Sequence, residues 1–134
     1  MLEPSAGTGA LVRAIPAGAR VVAVELVANL ARALGYMTPK VRCGDFLAMN
    51  GELGTFDRIL MNPPFDHGAD IQHIEHARGK LKAGGRLVAI CAAGPRQREQ
   101  FEAIAAEWID LPVGSFKEQG TNASTAIVVI ETSL

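Results

Sequence analysis

Two consecutive prolines, Pro63 and Pro64, constrain this chain more than any other pair of residues. They follow an apolar run from Phe56 to Met61, whose Ile59-Leu60-Met61 end reads as a buried strand. A proline offers no N–H to a ladder, fixes its own φ, and pushes the residue before it into extended backbone. Strand pairing therefore stops near Asn62, and the chain leaves on a stiff loop that Asp66-His67-Gly68 turns away. A loop at a strand's carboxyl end lies where open α/β sheets bind their ligands. This one carries an amide side chain (Asn62), carbonyls freed from any ladder, and an aromatic ring (Phe65). That set can hold a planar amino group and the ring that bears it. A plain proline turn after a core strand is the alternative reading.

The residues before this loop alternate between strand and helix patterns. Met1-Leu2-Glu3 gives almost no first strand before Pro4-Ser5-Ala6-Gly7-Thr8-Gly9, and a helical pattern from Ala10 to Ile15 stops at Pro16. Strand, glycine turn and helix form the arrangement of a phosphate or dinucleotide loop, and a mere turn is its alternative. Arg20 to Val24 is an apolar strand ending in Glu25, eighteen residues past Gly7. An acidic residue at that tip can accept hydrogen bonds from ribose hydroxyls, or simply start a helix. Leu26, Leu30 and Leu34 then recur at helical spacing, with Gly35 as the stop. Val41-Arg42-Cys43 reads as a short third strand, followed by Gly44-Asp45-Phe46-Leu47. Asp45 and Phe46 can be site residues, or a helix N-cap and a core phenylalanine.

Beyond the prolines, the spacing of Ile71, Ile74, Ala77 and Leu81 predicts a helix over 69–81, ended by Gly84-Gly85. Arg86 to Cys91 is a fifth strand. Phe101, Ile104, Ala105 and Trp108 predict a helix over 96–108, with Trp108 in the core. Ile109 to Pro112 is a short strand near an edge. The polar loop 114–122 and a closing strand, Ala126 to Ile130, follow. Two strands joined without a helix pair antiparallel. The expected fold is α/β: a doubly wound, mostly parallel sheet with a C-terminal antiparallel hairpin, one domain over 1–134.

Composition narrows the function classes. Apolar residues are 49% and charged residues 20%, an ordinary globular balance, and the net charge is −1. Strong non-specific nucleic-acid binding is therefore not expected, and any such affinity needs a local patch. Seven Lys and Arg residues fall between Arg58 and Arg98 and read mostly as solvated surface. Cys43 and Cys91 fit a reduced, cytoplasmic protein, and neither has metal-ligand spacing. His67, His73 and His76 lack the HExxH pattern and a cysteine partner, so polar surface or capping roles are expected and no metal. No run of eighteen apolar residues and no signal peptide is present in the sequence, so no membrane role is expected.

Taken together, Glu3-Pro4-Ser5-Ala6-Gly7-Thr8-Gly9, Gly44-Asp45-Phe46 and Asn62-Pro63-Pro64-Phe65 arrive in the order that resembles class I S-adenosylmethionine-dependent amino-methyltransferases. The likeness is greatest to the N6-adenine DNA enzymes of phages and plasmids. It implies a Rossmann-like fold and S-adenosyl-L-methionine as cofactor. Glu3 to Gly9 would lie beside the methionine part of the cofactor, with Glu3 at its ammonium group. Glu25 would hold its ribose, Asp45 and Phe46 would border its adenine, and Leu26 and Asn62 would also contact the cofactor. The resemblance makes Asn62, Pro63, Pro64 and Phe65 the catalytic loop, with Phe65 and Phe116 near the target base. It implies methyl transfer to adenine N6 in DNA, with RNA bases or a truncated cofactor-binding module without turnover as alternatives. The sequence departs from the family's pattern in a short N-terminal segment and in having no target-recognition domain. A partner protein or second subunit is therefore expected to supply recognition.

Overall fold

The computed structural model describes residues 1–117 and 123–134. The strand β1 (Leu2–Glu3) is two residues long, because Pro4 removes the next ladder donor. It is nonetheless an inner strand. Leu2 and Glu3 pair in parallel with Val22 and Ala23 of β2 (Val22–Glu25), and Leu2 pairs with Ile59 of β4 (Phe56–Met61). Leu2 is fully buried there, which is worth roughly 1.5–3 kcal/mol for a side chain of its size.

The helix α1 (Ala10–Ala14) leads from the glycine turn to β2, and α2 (Ala28–Leu34) leads from β2 to β3 (Lys40–Cys43) at one sheet edge. The chain then crosses to β4 on the other side of β1. The helix α3 (Ala69–Arg78) follows, then β5 (Leu81–Ala92), α4 (Pro95–Phe101), β6 (Glu107–Asp110) and β7 (Thr125–Glu131). The strand order is β3-β2-β1-β4-β5-β7-β6, parallel from β3 to β5, with β7 antiparallel to both β5 and β6. The expected doubly wound sheet and antiparallel hairpin are both present. The winding reverses between β1 and β4, and the crevice at such a switch point is where these sheets take ligands.

Both faces carry a core. Val22 and Val24 pack with a large cluster that includes Ile59, Met61, Ile74, Leu87 and Phe101, while Ala23 packs with Val12 and Leu34. Successive strand residues point to opposite faces, so α1 and α2 cover one face and α3 and α4 the other.

Four sequence expectations are corrected. The third helix stops at Arg78 rather than reaching Leu81, because Gly79 closes it and Leu81 pairs with Phe56 of β4. Gly84-Gly85 does not end an element. It lies inside β5, where the register jumps between the Phe56–Leu81 and Arg58–Arg86 pairs. Gly84 has φ +71°, and a Cβ on Gly85 would lie 2.8 Å from the Lys82 carbonyl, so this kink needs glycine. The fourth helix ends at Phe101, and Trp108 belongs to β6, where it pairs with Val128. Trp108 still packs against the main core, under the Arg98 guanidinium at 5.2 Å. Finally, Leu26 precedes α2 and is 68% exposed, so Ala31 and Leu34 form the buried stripe without it.

Candidate functional site

The carboxyl ends of β1, β2, β3 and β4 converge on one crevice. After β1, the chain turns back: Ser5 N–H donates to the Glu3 carboxylate at 3.0 Å and Ala6 N–H to the Val24 carbonyl at 3.0 Å. Gly9 has φ +88°, and a Cβ there would meet the Met37 sulfur at 2.5 Å, so this turn is closed to any side chain. Gly7 N–H donates to Glu25 Oε1 at 2.9 Å, and Val27 N–H donates to Oε2 at 2.6 Å. Glu25 thus ties the tip of β2 to the glycine turn and to the start of α2. A carboxylate offers about four acceptor positions, so each oxygen keeps capacity for a ligand hydroxyl.

Glu3 is almost completely buried. Burial pushes its carboxyl up to about 7, with the nearby charge of Glu25 adding and the Ser5 N–H opposing. A neutral Glu3 would re-ionise beside a bound cation.

At the end of β3, Asp45 Oδ1 accepts from Leu47 N–H at 3.0 Å, capping a single 3-10 turn, and Phe46 is buried. Both bland readings of these residues are therefore real, yet both residues also line the crevice. One face of α3 holds Phe46 in place. His73 and His76 lie 6.0 and 4.8 Å from it by ring centroids, and Lys80 Nζ is 5.9 Å from it. His76 Nε2 is 2.7 Å from the Met49 carbonyl oxygen, and Lys80 donates to the Asn50 carbonyl at 2.6 Å. Burial lowers the His73 pKa, so its ring is neutral near pH 7.

The same helix begins at the proline corner. Asn62 directly follows β4 and is half-buried, and no hydrogen bond among the described residues occupies its amide. Pro63 is buried and Pro64 exposed. The Phe65 ring meets that of Phe116 edge-on, at 6.4 Å between centroids and 83° between planes. Residues 118–122, the rest of the loop that carries Phe116 in the sequence reading, lie outside the described residues. From behind, the corner is fixed by Asp70, which is fully buried. Its carboxylate accepts from Ile71 N–H (3.0 Å), Ala92 N–H (2.8 Å) and the Gln97 amide (3.1 and 3.2 Å). One side chain therefore joins the start of α3 to the end of β5 and to α4.

The result is a cavity of about 260 Å³, bordered by Pro4, Ser5, Glu25, Leu26, Asp45, Phe46 and Pro64, all anticipated from sequence. Val27, Gly44 and His73 also line it and were not anticipated. For His73 a signal existed: its spacing of three from His76 puts both on one face of α3. Glu3, Ala6, Gly7, Thr8 and Gly9 shape the crevice without lining this cavity, and Asn62, Pro63, Phe65 and Phe116 do not line it either, so Pro64 alone of the corner does. A second cavity of about 280 Å³ opens at the amino ends of β2 and β3, beside Arg20, Lys40 and Met37, away from every acidic strand tip. The first is the better candidate, because acceptors and aromatic surface converge there.

A mostly parallel seven-stranded sheet in this order, closed by a C-terminal antiparallel hairpin, matches the Rossmann-like fold of solved class I methyltransferases. No protein-family model matches the sequence, and no curated protein matches it. Solved structures do. A Pyrococcus horikoshii protein solved as a candidate RNA methyltransferase aligns over 99% of this chain and 74% of its own, with TM-score 0.70 and 20% identity. TrmN from Thermus thermophilus aligns over 98% of this chain and 43% of its own (TM-score 0.74, 15% identity). The type I restriction enzyme EcoKI M protein aligns over 99% of this chain and 39% of its own (TM-score 0.74, 17% identity). The chain thus spans about three quarters of the first and less than half of the other two. At these identities the likeness defines the fold.

Proposed function

We propose that this chain transfers a methyl group from S-adenosyl-L-methionine to the exocyclic amino nitrogen of a nucleobase, with adenine N6 in DNA as substrate. The observation that carries this reading is that Pro64 of the corner shares one cavity with the acidic strand tips Glu25 and Asp45. The donor set suits a nucleoside. Glu25 has acceptor capacity for ribose hydroxyls. Asp45 keeps Oδ2 for an adenine amino group, while Phe46 and Pro64 supply apolar surface. Glu3 suits the ammonium of the amino-acid part, since a cation stabilises its ionised form.

Bound cofactor supplies an electrophilic methyl group, and the chain's own work is to present the nucleophile. An aromatic amino nitrogen is a poor nucleophile because its lone pair is delocalised into the ring. The Asn62 side-chain oxygen and the Pro63 carbonyl accept its two N–H bonds. The nitrogen is then drawn toward tetrahedral geometry, with its lone pair directed at the methyl group. As the nitrogen–carbon bond forms, the cofactor's sulfur–methyl bond would break to leave a neutral thioether. The amino group, now positively charged and acidic, would lose one proton to water, so orientation and preorganised electrostatics suffice without a strong base. Phe65, backed by Phe116, offers a face to a base that has left its stack.

RNA is the second reading, supported by the likeness to a candidate RNA methyltransferase. Incubation with labelled cofactor and DNA, RNA or protein, followed by nucleoside analysis, tests both. N6-methyladenine in DNA is the expected product. Label in RNA alone favours the second reading, and label in protein alone overturns both. Cofactor binding without transfer would leave only a binding module.

A further inference from the structure

We propose that Arg96 is the phosphate contact of the substrate site, gripping the backbone of the nucleic acid beside the target base. This rests on the reading of the chain as a nucleobase methyltransferase. Seven cationic side chains lie between positions 58 and 98, and the structure separates their roles. Arg78, Lys82, Arg86 and Arg98 are committed to Glu75, Asp57, Glu131 with Glu107, and Glu102 with Asp110. Lys80 is buried on the Asn50 carbonyl, and Arg58 bonds the Asp57 carbonyl. Arg96 alone of the seven has no hydrogen bond or ion pair among the described residues, and it is exposed.

Its position is specific. The guanidinium lies against Gly68, where a Cβ would meet Nη1, Cζ and Nη2 at 3.2, 3.5 and 3.6 Å. Gly68 has φ +74°, and its N–H returns to the Phe65 carbonyl at 3.3 Å. The missing side chain at 68 therefore seats a flat cation against the turn that Gly68 closes onto the Phe65 carbonyl. A nucleotide carries its charge one sugar away from its base. A planar guanidinium can grip two phosphate oxygens at once, which an ammonium cannot. With a net charge of −1 the chain has no general field to draw nucleic acid, so a single placed cation takes a large share.

The test uses the full chain, an adenine-containing oligonucleotide and labelled cofactor. Arg96→Ala should raise the oligonucleotide KM about tenfold, with kcat and cofactor affinity unchanged. It should also reduce the slope of log affinity against log salt by about one. Arg96→Lys should restore the salt slope but not the full affinity. A neutral methylphosphonate beside the target should weaken the wild type as Arg96→Ala does, and add nothing in that variant. If Arg96→Ala keeps the wild-type KM and salt slope, the assignment is overturned while the parent reading stands. If the wild type methylates no nucleic acid, both fall.

Discussion

Glu3 is ionised and neutral in similar amounts near pH 7, because burial holds its pKa at about 7 against an ordinary value of 4.5. Between those values the unfolded chain has released the proton and the folded chain still binds it. Stability is therefore greatest below about 4.5, falls as pH rises to about 7, and is flat above, for this group alone. The fall is on the order of 3 kcal/mol, at 1.36 kcal/mol per unit. Chemical denaturation of wild type and Glu3→Gln across that range should show the slope in the first and its loss in the second. Under the proposed function, cofactor affinity should rise with pH over the same window in the wild type only. At this scale Glu25 and Asp45 were legible from sequence as residues of the crevice, since both line the cavity. Asp45 was readable in two ways, and both hold: its Oδ1 caps the 3-10 turn and the residue also lines the cavity. His73 was missed because its partner Phe46 is distant in sequence and close only through α3.

The elements show a different kind of legibility. Strands β2, β4 and β7 were readable because their apolar runs are bounded by glycine, proline or polar residues. The overlong third and fourth helices came from coincidence. Leu81 and Trp108 continue a helical period, but each is claimed by a ladder partner, Phe56 or Val128, that periodicity cannot reveal. Asp70 is the clearest case of a role hidden from sequence, since its donors come from three separate elements. Asp70→Asn replaces one acceptor oxygen with a donor facing buried N–H groups. Losing such a buried contact costs ~2 kcal/mol or more. Urea unfolding should show a lower midpoint with an unchanged slope. Turnover should fall as well, because α3 carries both the corner and the support of Phe46; unchanged stability would refute this linking role.

Across the whole molecule, the switch point at β1 and β4 divides the work. The β1–β3 half brings Pro4, Ser5, Glu25, Asp45 and Phe46 to the cavity, and the β4 half brings Pro64 of the proline corner. This division was foreseeable from motif order, whereas the two-residue length of β1 and the kink in β5 depend on pairing partners. It predicts that the two functions separate by mutation. Asp45→Ala should weaken cofactor binding about tenfold or more and leave saturated turnover less affected. The most direct test is Asn62→Ala, with kcat measured at saturating cofactor and cofactor affinity measured by calorimetry. The account predicts turnover lower by 10² or more, the scale of losing one preorganised acceptor, with affinity within about twofold of wild type. An equal loss of affinity and turnover, or no loss of turnover, would contradict it.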